Sequence, residues 1–337
     1  MALKAFIVGT SGPELTSEER TFLSEARPCG LILFSRNCVT PDQLSRLVAD
    51  FRDAVGEAGV FALIDQEGGR VQRLRRPHWR EAPPARAFGK LYEEDPERGL
   101  EAARLVARLT AQELSQVSIN VNCAPVLDLP APGAHGIIGD RAFHTDPHCV
   151  AELGRAAAEG YLEGGVLPVV KHIPGHGRAM ADSHLSLPRI DAPASELEQS
   201  DYQPFSALND MPLAMTAHVL IPELDPERPA SVSPVIMDQV IREMIGFEGL
   251  VMCDDLSMGA LEGSIAERAE AVISAGCDVV LHCNGILEEM RAAADVVPEF
   301  EGKHRARFEA AIGRIKTPAA FDEEKASAYS DEVAALA

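Results

Sequence analysis

No run of apolar residues in this 337-residue chain approaches the length of a membrane span. The short apolar stretch at 5–8 is too brief for a secretory h-region, and no small-residue cleavage site follows it, so no leader is expected. Positive charge is scarce. Lys and Arg number 31 against 52 Asp and Glu, a formal net charge of −21. Such a surface has little with which to neutralise phosphates, which argues against nucleic acid as a partner and disfavours an anionic membrane surface. The basic cluster at 70–76 leaves room for one local anionic group. The turn after the first apolar run, Gly-Thr-Ser-Gly at 9–12, is neither a dinucleotide fingerprint nor a P-loop. Internal repeats, low-complexity blocks and interdomain linkers are absent as well. Cysteine is present but odd in number, seven residues at 29, 38, 123, 149, 253, 277 and 283. Several lie inside apolar runs and read as buried free thiols of a reducing compartment, so a cytoplasmic location is expected.

What the chain does have is alternation. Short, often β-branched apolar runs at 5–8, 31–34, 61–64, 119–123, 167–170, 213–217, 250–253 and 279–282 read as strands. Helical patterns fill the intervals, at 17–26, 41–55, 96–116, 149–163, 195–208, 234–245, 265–275 and 286–297. Regular alternation implies parallel strands joined by right-handed crossovers. Eight of each point to an α/β protein with a single (β/α)8 TIM-like barrel over 1–300, its surplus length in loops at 66–95, 124–148 and 173–194. A helix near 303–315 and an acidic tail from 319 make up 301–337. A doubly wound open sheet is the structural rival, weakened by the missing dinucleotide turn.

In such a barrel the site lies at the carboxyl ends of the strands. There the sequence places Asp65, Asp128, Lys171 with His172, His218, Asp254 with Asp255, and Asn284. Any one of these alone is a helix cap or a surface charge; Lys, His and carboxylates interleaved at one end are not explained by capping. Asp254 closes the seventh apolar run and is read as a nucleophile, with Asp255 beginning the loop in a supporting role. Asp182 stands two residues before His184 on a Gly/Pro-rich loop, where a carboxylate holds an imidazole in one tautomer and supports its protonated form. Asp65 and Arg73, separated by a Gly-Gly turn, suit a hydroxyl-rich ligand through charge-assisted hydrogen bonds; a surface ion pair is the alternative. His172, His176, Asp182 and His184 also invite a zinc reading. Their spacing matches no common ligand motif, and Lys171 would set a positive charge beside the metal.

Six segments together resemble a known family: Ile-Asp-Gln-Glu-Gly-Gly-Arg-Val-Gln-Arg at 64–73, Asn-Val-Asn-Cys-Ala-Pro-Val-Leu-Asp at 120–128, Ile-Gly-Asp-Arg-Ala-Phe at 138–143, Lys-His-Ile-Pro-Gly-His-Gly at 171–177, Asp-Ser-His at 182–184, and Cys-Asp-Asp-Leu-Ser-Met at 253–258. In order and spacing the chain is similar to bacterial β-N-acetylglucosaminidases of glycoside hydrolase family 3, of the single-domain, cytoplasmic type. The resemblance implies a retaining exo-hydrolase that removes N-acetylglucosamine from 1,6-anhydro-muropeptides in peptidoglycan recycling. It matches Asp254 to the nucleophile, His184 to the acid/base, and Asp182 to its partner. Asp65, Arg73, Arg141, Lys171 and His172 match positions that bind the terminal sugar. No metal and no organic cofactor is implied. The partner expected is a small carbohydrate; the sequence does not set the oligomeric state. The stretches 129–137 and 77–82 depart from the pattern, on what would be the leaving-group side. Phosphorolysis, a non-catalytic sugar-binding barrel, a metal-dependent or aldolase-type barrel and a β-glucosidase are the rival readings.

Overall fold

The computed structural model describes residues 2–183 and 185–337. Eight parallel strands form one sheet: β1 (Lys4–Val8), β2 (Pro28–Leu33), β3 (Phe61–Ile64), β4 (Val121–Asn122), β5 (Leu167–Ile173), β6 (Leu213–Thr216), β7 (Leu250–Met252) and β8 (Val280–His282). β8 pairs with β1, and a parallel bridge from Met252 to Val279 joins β7 to β8, closing the (β/α)8 barrel. These strands are the eight apolar runs of the sequence. They are buried along nearly their whole length because helices cover the outer face and packed side chains fill the inside.

Three helices begin and end where their sequence signals stand. Ser17–Ala26 starts under a Thr16–Glu19 capping box; Pro41–Val55 and Pro96–Gln116 open with Pro in the first turn after Thr40 and Asp95 caps. Elsewhere tertiary packing overrides the local pattern. The segment read as a helix over 195–208 is broken into Ala194–Gln199 and Gln203–Ala207, because Pro204 has no amide to donate and excludes the carbonyl four residues earlier. The 234–245 pattern is realised as a π-wound helix, Ile236–Met244. The loop expected at 66–95 contains a two-stranded ribbon and a helix, Ala85–Glu94. In the 301–337 segment lie two helices, Gly302–Ile312 and Glu323–Ala334. The second packs on Pro96–Gln116, with the Tyr329 hydroxyl donating to Glu101 at 2.6 Å. No helix among the described residues is long and apolar enough to cross a membrane.

Candidate active site

Asp65 is the first residue beyond β3, and the chain then doubles back. Gln66–Gly68 pairs antiparallel with Val71–Gln72. Gly68 and Gly69 take φ of 106° and 55°, and a Cβ on Gly68 would stand 2.2 Å from the Pro83 carbonyl oxygen, so the turn demands glycine. The buried Gln66 side chain accepts the amides of Arg73 and Leu74 at 2.9 and 3.0 Å. That stitch returns Arg73 to Asp65, 3.0 Å away, with the Arg73 guanidinium over the Phe34 ring.

β5 delivers the counter-charge. Its pairing with β6 slips between Lys171 and Ile173, and at this bulge the consecutive residues Lys171 and His172 both line the pocket. The Lys171 side chain, 3% exposed, lies 2.8 Å from Asp65 and 2.6 Å from Glu67. Arg141, on the turn Gly139–Arg141, closes a bidentate pair on Glu67 at 2.8 and 2.9 Å. Burial alone would push both carboxyls up. Lys171 with Arg73 outweighs it and holds Asp65 well below the carboxylate range, while Lys171 with Arg141 brings Glu67 down to about 2. Burial would in turn lower Lys171 and Arg141, and the facing carboxylates raise both instead. The cluster is fully ionised at neutral pH.

Glu67 is a pocket residue that sequence reasoning passed over. The available signal was the alternation of Asp65 and Glu67, two residues apart and on one face. Its partners come from a distant strand and a distant turn, so its importance is visible only in three dimensions. Because Glu67 titrates lower folded than unfolded, its contribution to stability is complete above about pH 4.5 and is lost as pH falls towards 2. Glu67→Gln is expected to cost about 2 kcal/mol at neutral pH, and to flatten the pH dependence of urea unfolding across that window. An unchanged slope would show that the charge is not coupled to folding.

A second group lies beside it. Fully buried Asp128, just past β4, accepts from His172 Nδ1 at 2.6 Å and from the His176 amide at 2.6 Å. A carboxylate only accepts while ionised, so the His172 proton is placed on Nδ1, and Nε2 is turned towards Arg141 at 3.5 Å. Asp128 thus orients a pocket residue and does not itself line the pocket. Gly177 permits this crowding: a Cβ there would lie 2.0 Å from the Leu129 carbonyl oxygen.

Asp254 and Asp255 follow β7 and part ways. Asp255 accepts the amides of Ser257 and Cys283 at 3.1 and 3.0 Å and the Ser257 hydroxyl, tying the β7 loop to β8. Asp254 lines the pocket, with Oδ1 oriented by the Asp255 amide at 2.9 Å. Burial raises the Asp254 carboxyl; His218, His172 and Lys171 outweigh it, leaving the group below its ordinary range and ionised. His218 is wholly buried, which lowers its pKa, and it bridges Ser231 (2.6 Å) to the Asp255 carbonyl (3.1 Å).

One cavity of about 270 Å³ at the carboxyl ends of the strands gathers Asp65, Glu67, Arg73, Arg141, Lys171, His172, His176, Ser183, Asp254 and Asp255. Asp182 is half-buried and is not among its lining residues. His184 lies outside the described residues. Asn284 turns away to Glu289 and the Ile286 amide. Of the two departing stretches, 129–137 reaches the pocket at Ile137, whereas Arg80 in 77–82 bonds outward to Thr110 and Ser330.

The chain matches the model of the glycosyl hydrolase family 3 N-terminal domain over residues 4–317. It is 40% identical over 314 residues to a β-hexosaminidase of Thiobacillus denitrificans, covering 91% of this chain and 86% of that protein. A β-hexosaminidase of Methylococcus capsulatus is 42% identical over 277 residues, 81% of this chain and 80% of the relative. Among solved structures, NagZ from Neisseria gonorrhoeae in complex with N-trifluoroacetyl-D-glucosamine superposes with a TM-score of 0.87 at 31% identity, spanning 100% of this chain and 98% of that one. A family 3 β-N-acetylglucosaminidase from Paenibacillus sp. str. FPU-7 gives 0.88 at 28% identity, over 99% of this chain and 68% of the other.

Proposed function

The chain belongs to glycosyl hydrolase family 3, and from that premise we propose that it is a retaining exo-β-N-acetylglucosaminidase acting on muropeptides. It is a glycoside hydrolase of the β-N-acetylhexosaminidase class. The substrate proposed is non-reducing N-acetylglucosamine β-1,4-linked to 1,6-anhydro-N-acetylmuramic acid, released during cell-wall recycling in the cytoplasm. The observation that carries the reading is the shared pocket. An ionised Asp254 opens onto the same small cavity as an ionised cluster in which Lys171, Arg73 and Arg141 face Asp65 and Glu67.

In this mechanism Asp254 attacks the anomeric carbon as the glycosidic C–O bond breaks, and imidazolium at His184 gives its proton to the leaving oxygen. Water then attacks the glycosyl-Asp254 ester, neutral His184 takes the proton, and the carboxylate is released. Asp182 supports the imidazolium and fixes its direction. Asp65, Arg73, Arg141, Lys171 and His172 hold the terminal sugar. An ammonium has three donors; Lys171 gives one to Asp65 and sits in ion-pair contact with Glu67, which leaves donor capacity for a sugar hydroxyl.

Incubation with a defined GlcNAc–anhydro-muropeptide tests the assignment, with products read by mass. Free N-acetylglucosamine plus the anhydro-muramyl peptide is the expected result, in the presence or absence of EDTA. N-acetylglucosamine 1-phosphate as the main product when phosphate is added would reassign the enzyme as a phosphorylase. No cleavage would refute the substrate.

A further inference from the structure

The loop that follows β5 is anchored at its root, at its far end and at one buried residue between them. At its root Arg178 bonds Asp201 at 2.7 Å, Glu196 at 2.6 Å and Ser200 at 3.1 Å. At its far end the backbone of Pro188 and Ile190 pairs with Leu220 at 2.9 Å. Between them two apolar side chains face outward, Met180 at 65% exposed and Leu185 at 81%. Ser183 is the exception. It is 3% exposed, its hydroxyl lies 3.1 Å from His176 Nε2, and its carbonyl accepts the Ala260 amide at 3.2 Å. His176 belongs to the segment leaving β5; Ala260 belongs to the loop that leaves β7 beyond Asp254. A single residue therefore joins the sides of the site that carry the proposed proton donor and nucleophile.

We infer that Ser183 is a positioning residue, and that its hydrogen bond to His176 latches the loop bearing Asp182 and His184 in the register proton transfer requires. Both partners of the latch are buried, so the bond is sheltered from competing water. His176 takes no part as an acid. Burial, reinforced by His172, lowers it to about 4, and its Nδ1 is buried without a partner among the described residues. A neutral imidazole with one engaged nitrogen is an anchor rather than a proton carrier. The inference rests on the assignment of Asp182 and His184 as the proton-transfer pair.

Ser183→Ala removes the hydroxyl and keeps the backbone bond to Ala260. The readout is kcat/KM, which reports formation of the glycosyl-enzyme, on two N-acetyl-β-glucosaminides of different leaving group. A departing 2,4-dinitrophenolate needs no proton; a sugar aglycone does. A mispositioned acid is expected to cost about tenfold or more on the anhydro-muramyl substrate and less than about twofold on the dinitrophenyl one. His176→Asn, which removes the ring nitrogen that Ser183 meets, is expected to show the same selective loss. The double variant should lose no more than either single one, since both remove one bond. Equal losses on the two substrates, or losses that multiply in the double variant, would overturn the latch. Wild-type protein inert towards both substrates would instead overturn the proposed activity itself.

Discussion

Asp254→Ala lowers kcat on an aryl N-acetyl-β-glucosaminide by at least about a thousandfold, the scale on which enzymes lose activity when a covalent nucleophile is removed. The variant stays folded, because the charge has only one orienting hydrogen bond among the described residues, from the Asp255 amide. Sodium azide restores turnover in the vacated space and yields the α-glycosyl azide, since one displacement replaces two. Asp255→Asn behaves differently. Its carboxylate ties Ser257 and Cys283 together, so the loss appears in stability, about 1–3 kcal/mol by urea unfolding. If Asp255→Asn abolished turnover and Asp254→Ala did not, the two roles would have to be exchanged.

Lys171→Ala carries the second large effect. The ammonium lies between Asp65 and Glu67 and is almost fully buried. Removing one partner of a buried ion pair leaves uncompensated charge and costs about 3–5 kcal/mol. Arg73 and Arg141 remain for the two carboxylates, which places the expected loss at the lower end of that range. In the substrate complex the missing donor raises KM, so kcat/KM falls further than kcat. Lys171→Arg does not restore function, because the bulkier guanidinium does not fit the buried space that the ammonium fills between the two carboxylates. Chemical denaturation and initial rates on the same preparations test both halves. A variant as stable as wild type would mean that the cluster is solvated and not a buried hub.

How far the sequence reaches is clear from particular residues. The barrel was legible because each strand is an unbroken apolar run and each early helix has its own start signal, such as Thr16 with Glu19 or Asp95 before Pro96. The helix Ala85–Glu94 was not, since Gly89 weakens its pattern; that glycine is required where a Cβ would meet the Phe143 carbonyl oxygen at 1.9 Å. The ribbon at 66–72 is held by Gln66 and by Asn122 from β4, contacts that local propensity cannot announce. In the site, residues at strand ends were found by position alone: Asp65, Lys171, His172 and Asp254 all reach one pocket. Arg73, read from its spacing to Asp65, and Arg141, matched through the resemblance, join them there. Glu67 and the His176–Ser183 contact were missed because each depends on a partner from another part of the fold. Asp128 stands at a strand end too, yet serves His172 from behind instead of facing the cavity. Position along a strand predicts where a side chain emerges; what it meets there is decided by the loops.

The most direct test of the covalent mechanism is trapping with a 5-fluoro N-acetylglucosaminyl fluoride, followed by proteolysis and tandem mass mapping of the labelled peptide. One sugar per chain, ester-linked to Asp254, is the predicted result. A label on Asp255 or Glu67, or turnover with no trapped intermediate, would contradict it.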